Sequence, residues 1–154
     1  NAGLILDRCR QSGRGIIHIQ HVALRPGAGF FLPDTPGVQI HHAVKPLPNE
    51  KIIIKHYPNS FRDTDLLEYL KSCGIDHLIV AGMMTHMCVD ATVRAAADFG
   101  FRCTLIGDAC ATRSLQINDN PVSARDVHHS FLAALNYFYA SVIPAKQFLN
   151  SSEF

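Results

Sequence analysis

Gly82-Met83-Met84-Thr85-His86-Met87-Cys88-Val89 follows a short apolar run, His77-Leu78-Ile79-Val80-Ala81, and leads into apolar residues at helical spacing. The run reads as a strand buried on both faces. Val89, Val93, Ala96 and Phe99 mark one helix face until Gly100 stops the pattern. Thr85 stands where an N-cap is expected, which puts Cys88 at about the third helical position, near unpaired N–H groups and the positive end of the helix dipole. A thiol there ionises readily, and an oxyanion finds donors.

Working outward, strands and helices alternate, the pattern of a parallel sheet covered on both faces. Leu4 to about Ser12 reads as a helix broken by Gly13, and Ile16 to Gln20 as a strand. Ala23 to Pro48 is rich in Gly and Pro and has no clear period, so it reads as a functional loop that walls a site or makes a subunit contact. Ile52-Ile53-Ile54 is the next strand. Thr64 or Asp63 caps a helix whose Leu67 and Leu70 face inward before Gly74. After the Cys88 helix come the strand Cys103 to Ile106, ending at Gly107-Asp108, and a last helix opened by Ser123 or Asp126 and running through Tyr139. Val142-Ile143 reads as a short final strand. Asp108 is expected to end its strand by capping the next turn.

With 154 residues, 47% of them hydrophobic, the chain can bury one good core, and a single domain over 1–154 is expected. A formal net charge of +1 without blocks of like charge argues against nucleic acid or a membrane surface as partner. No apolar run approaches the length of a membrane span, and a cytoplasmic enzyme with a small-molecule substrate, self-associated as a homo-oligomer, is the default expectation. The five cysteines, Cys9, Cys73, Cys88, Cys103 and Cys110, include no C-x-x-C pair, so neither a disulfide framework nor a thiolate zinc site is suggested. Most read as small buried hydrophobes. Cys88 is set apart by its helix-start context.

Gly82 to Ala96, continuing through Gly100-Phe101 to Asp108-Ala109, resembles the signature of the isochorismatase-like cysteine hydrolases. Glu50 to Phe61 resembles the lysine segment of that family, and Gly15 to His21 one of its strands. The resemblance implies a three-layer α/β/α sandwich with a mostly parallel sheet, Rossmann-like, in strand order 3-2-1-4-5-6. It also implies a first, central strand ending in an aspartate that acts as the general base. The sequence begins in the helix after that strand, and Asp7, mid-helix, is no substitute. That strand and its aspartate are therefore expected outside residues 1–154.

The resemblance further implies Cys88 as nucleophile on an amide-like carbonyl and Lys55 as the cation that holds the thiolate. It implies a cis peptide at Met83–Met84, with the Met84 and Cys88 amides as the oxyanion hole. His86 is expected to contact substrate, and Tyr57, Asn59 and Phe61 to line the pocket, with Phe30-Phe31 placed to close over a ligand. No cofactor is implied, and no metal: where the nicotinamidase branch carries an Asp-x-His motif, this chain has Gln20-His21-Val22-Ala23-Leu24. His18 and His21, three apart on a strand, project to opposite faces. Thr92 and Arg94 are expected to pack and pair on their helix.

Three readings of function stand at this point. The leading one is hydrolysis of a C–N bond in a small amide, carbamoyl or lactam-like compound through a thioester. The second is isochorismatase-type hydrolysis of a vinyl ether, against which a nucleophile argues because that reaction needs an acid. The third, of another class, is a redox or partner-binding protein that uses the activated thiol.

Overall fold

The computed structural model describes residues 1–151. Five helices, α1 (Ala2–Gln11), α2 (Leu66–Ser72), α3 (Asp90–Asp98), α4 (Ala124–Phe138) and α5 (Ala145–Asn150), alternate with strands. The parallel strands are β1 (Ile17–His21), β2 (Lys51–Lys55), β3 (His77–Met83), β4 (Arg102–Ala111) and β7 (Ser141–Ile143). β5 (Leu115–Ile117) and β6 (Asn120–Val122) form an antiparallel hairpin. The segment between β1 and β2 is irregular apart from two short 3₁₀ turns, as its composition suggested.

Side chains alternate between two cores across the sheet. On one face Ile53, Leu105, Phe61 and Phe101 pack with Leu66 and Leu70 of α2, Val93 and Ala96 of α3 and Leu135 of α4. On the other, Ile106 and Ile143 pack with Ile5 and Cys9 of α1 and Phe148 of α5. Leu105 and Ile106, adjacent on β4, fill opposite cores. The result is a three-layer α/β/α sandwich.

One correction concerns burial, that of β3, expected to be buried on both faces, and β2 too is unevenly covered. β2 is buried on one face only: Ile53 is 3% exposed, whereas Ile52 and Ile54 face outward at 46% and 53%. β3 is half-buried from His77 to Val80. Among the described residues β1 pairs only with β2, and β3 only with β4, so the parallel strands form two groups, β1-β2 and β3-β4-β7. The exposure of Ile19 and of Ala81 follows from that arrangement.

Other differences are local. Leu66, not Leu67, is the fully inward residue of α2 beside Leu70. That helix is opened by Asp65, one residue after Thr64. α4 is not the last helix, since Pro144 sets up α5 immediately after β7. Asp108 serves α5: its Oδ1 accepts the Ala145 N–H at 2.6 Å, across 37 residues of chain. The hairpin β5-β6 is too short to show a period.

Candidate active site

β1 and β2 lie in parallel register, and their last residues, His21 and Lys55, are paired side by side. Both stand at strand C-termini, where open α/β sheets build their crevices. Lys55 shares the parity of Ile53 and is only 3% exposed, an ammonium carried in by the strand. Burial pushes its pKa below the ordinary lysine value, and the adjacent Cys88 opposes that shift. Its Nζ donates to the Pro58 carbonyl. Cys88 Sγ approaches His21 Nδ1 at 3.8 Å.

Cys88 arrives from β3 through a backbone that departs from the expected capped α-helix. The Met83–Met84 bond is cis, as the resemblance implies. Thr85–Val89 then winds as a π-helical turn before α3 begins at Asp90. The Met84 carbonyl accepts from the N–H groups of Met87, at 3.0 Å, and Val89, at 3.2 Å, passing over that of Cys88. Such wide turns are frequent at functional sites because they detach an amide from the helical ladder. Thr85 is no N-cap. It is fully buried, and its hydroxyl reaches the Ala111 carbonyl at 3.2 Å and His128 Nδ1 at 2.9 Å. These tertiary partners outcompete a local cap.

Cys88, Lys55 and His21 are thus brought together, while the expected pocket residues are engaged elsewhere. Phe61 is a core residue, its ring edge-on to Phe99 at 5.2 Å and stacked with Phe101 at 6.2 Å. Asn59 Oδ1 accepts the Phe61 N–H at 2.9 Å, closing a turn. The Tyr57 ring lies under the Arg62 guanidinium at 3.6 Å. His86 turns its Nδ1 to the Thr112 hydroxyl and its ring edge to Phe131, leaving Nε2 buried without a protein partner. Arg94 pairs with Asp90 at 2.9 Å and lies over Tyr139, the helix role expected of it.

His21 is the residue that sequence reasoning passed over. Only its parity on β1 marked it, and that parity means nothing until the register with Lys55 is known. Its ring stacks on Phe31, with centroids 5.3 Å apart and planes at 22°. Phe30 and Phe31, with Gly29, Met83, Met84 and Arg113, line a cleft of about 510 Å³ beside the cis bond. The long loop thus lines this cleft and packs Phe31 against His21. Among the described residues no group of three or more His, Cys, Asp or Glu side chains is arranged to hold a metal ion.

Residues 1–146 match the family model of the isochorismatase domain. The chain belongs to the isochorismatase family. A putative isochorismatase hydrolase from Oleispira antarctica is similar in structure, with a TM-score of 0.92 and 40% identity, covering 97% of this chain and 81% of that one. The uncharacterized isochorismatase family protein YddQ of Bacillus subtilis is 48% identical over 149 residues, 97% of this chain and 83% of that protein. Streptothricin hydrolase of Streptomyces noursei is 39% identical over 108 residues, 70% of this chain and 42% of that enzyme. Shorter matches include a nicotinamidase of Arabidopsis thaliana and a maleamate amidohydrolase of Pseudomonas putida, each over 46% of this chain. The protein is an isochorismatase-family hydrolase with amidase relatives. No helix among the described residues is long and apolar enough to cross a membrane.

Proposed function

We propose that this isochorismatase-family hydrolase cleaves a C–N bond in a small amide, carbamoyl or lactam-like compound, with Cys88 as nucleophile and a thioester intermediate. The observation that carries the reading is the convergence of Cys88 Sγ with the buried Lys55 ammonium and the His21 ring at one strand edge. In this reading the Lys55 cation holds the thiolate in a site too dry for an unpaired anion. Cys88 Sγ adds to the carbonyl carbon. The amides of Met84 and Cys88 then receive the developing oxyanion, and the Cys88 N–H is not taken by the Met84 carbonyl, which accepts from Met87 and Val89 instead. Collapse expels the amine with a proton, and water hydrolyses the thioester.

The cleft lined by Phe30, Phe31, Met83, Met84 and Arg113 is the proposed seat of the substrate body, with His86 within Coulombic reach of Arg113. Nicotinamidase and maleamate amidohydrolase among the relatives support a C–N bond as the target. A small-molecule substrate handled without cofactor, in a homo-oligomer, completes the proposal.

Intact-mass spectrometry after brief incubation with a panel of small amides tests it. An acyl adduct on Cys88 that is absent in Cys88→Ala, together with lost turnover in that variant, is expected. Turnover that survives in Cys88→Ala ends the cysteine reading. Sulfenate or disulfide as the only modification of Cys88 favours the redox alternative.

A further inference from the structure

We propose that the substrate of this site is an acid, a small amide or carbamoyl compound whose carboxylate is held by Arg113 while its carbonyl meets Cys88; the inference deepens the hydrolase reading above and rests on it. The cleft beside the Met83–Met84 bond has apolar walls in Phe30, Phe31, Leu32, Met83 and Met84, and among the described residues Arg113 is the only charged one that lines it. Arg113 is exposed, and none of the ion pairs among the described residues includes it. A guanidinium presents a planar fork of donors that a carboxylate matches with two parallel hydrogen bonds. Against apolar walls such a pair is screened less than on open surface.

The fold fixes the chain at Arg113 against the turn that carries the nucleophile. Ala111, the last residue of β4, is in register with Met83 of β3. Its carbonyl accepts from the Thr85 hydroxyl at 3.2 Å, and the Thr112 hydroxyl meets His86 Nδ1. Arg113 leaves β4 one residue beyond the last of these ties, and Cys88 lies two residues beyond His86 on the π-helical turn. The guanidinium and the thiol thus stand on two segments laced together at consecutive residues.

The other titratable groups around the cleft do not compete for the anion. Lys55 is buried beside Cys88, and its ammonium donates to the Pro58 carbonyl. Burial first, and then the Lys55 charge, lower the pKa of His21, which is stacked on Phe31. Burial first, and then the Arg113 charge, lower that of His86. Both imidazoles are therefore neutral at pH 7. The aspartate implied by the family resemblance is the general base and serves the thiol, which leaves the guanidinium to the substrate. A neutral amide of the same shape would leave that guanidinium without its partner, the kind of mismatch by which polar sites reject analogues.

Two measurements on the full chain test this. In the first, succinamate, glutaramate and adipamate are each compared with the corresponding neutral diamide, in wild type, Arg113→Gln and Arg113→Lys. Wild type is expected to prefer an acid over its diamide by at least about tenfold in kcat/KM. Arg113→Gln should lose about ten- to a hundredfold on that acid, mostly through KM, and markedly less on the diamide. Arg113→Lys, which keeps the charge and not the fork, should fall between them. Diamides turned over as well as the acids, or equal losses on both in Arg113→Gln, would overturn the proposal.

The second needs no substrate. Cys88 Sγ displaces iodide from iodoacetate, a carboxylate, and from iodoacetamide, its neutral isostere, and the ratio of the two rates is read by mass spectrometry at low salt. A ratio lower by at least about threefold in Arg113→Gln is expected, because the anion loses the charge that draws it to the site. An unchanged ratio would overturn the proposal. A lowered ratio in a protein that hydrolyses neither acids nor diamides would sink the hydrolase reading and leave the anion site at Arg113 standing. Diamides hydrolysed without regard to Arg113 would do the reverse.

Discussion

The Thr92 hydroxyl accepts the Ser60 N–H at 3.0 Å and meets the Ser60 hydroxyl at 2.9 Å, tying the segment after β2 to α3. Thr92 Oγ1 also reaches the Pro58 carbonyl at 3.4 Å, the same carbonyl that receives Lys55 Nζ. Thr92 sits one helical turn beyond Cys88. One hydroxyl therefore ties the segment whose Pro58 carbonyl holds the cation to the helix that follows the nucleophile.

Thr92→Val keeps the shape and removes that hydroxyl. It should cost about 1–3 kcal/mol of stability, because the Ser60 N–H loses its partner. It should also lower kcat more than it raises KM, since the Lys55 ammonium is displaced without loss of substrate contacts. Thermal unfolding and steady-state kinetics on one preparation check both, and an unchanged kcat would separate the latch from the chemistry.

Lys55→Met replaces the buried ammonium by an apolar group of similar length. Alkylation of Cys88 by iodoacetamide at pH 7 should slow about ten- to a hundredfold, because the thiolate loses its adjacent cation. Amide and ester turnover should fall together. An alkylation profile identical to wild type would remove Lys55 from the site.

Thr85→Val should destabilise the π-helical turn by about 1–3 kcal/mol. The fully buried hydroxyl serves both the Ala111 carbonyl and His128 Nδ1, and valine leaves those two groups unpaired. Hydrogen exchange at Val89 and Asp90 should quicken relative to β4. Unchanged exchange would show that the turn is held by its flanking packing alone.

Glu50 accepts from Arg10 Nε at 2.7 Å, Arg10 Nη2 at 2.9 Å, His18 Nε2 at 2.8 Å and the Leu47 N–H at 2.8 Å, and its side chain is 5% exposed. The Arg10 guanidinium holds its carboxyl far below the ordinary carboxylate value of 4.5. A depressed folded pKa gives stability that is complete above that value and is lost as pH falls toward the folded one. Glu50→Gln should therefore lower the melting temperature at pH 7, and its deficit against wild type should shrink steadily below about pH 4.5. A deficit independent of pH would mean that packing, not charge, is what Glu50 supplies.

How much of the site could be read in advance differs from residue to residue. Lys55 was legible from three isoleucines leading to a strand end, and Cys88 from its place after a strand, both strengthened by the family signature. Phe61, expected in the pocket, packs in the core because a residue six positions beyond the end of β2 has no fixed direction until α2 and α3 pack on it. Asp108 was assigned to a local turn, whereas its partner Ala145 lies 37 residues away.

The sequence by itself determined the alternation of elements, the helix faces and the resemblance to the family, because periodicity and turn chemistry are local properties of the chain. The tertiary structure alone decided that Thr85 is buried among Ala111 and His128 instead of capping a helix, and that the turn bearing Cys88 is π-helical. It alone set His21 beside Lys55. A parallel pair joins strands through a long connection, and its register follows from packing, not from any pattern in either strand.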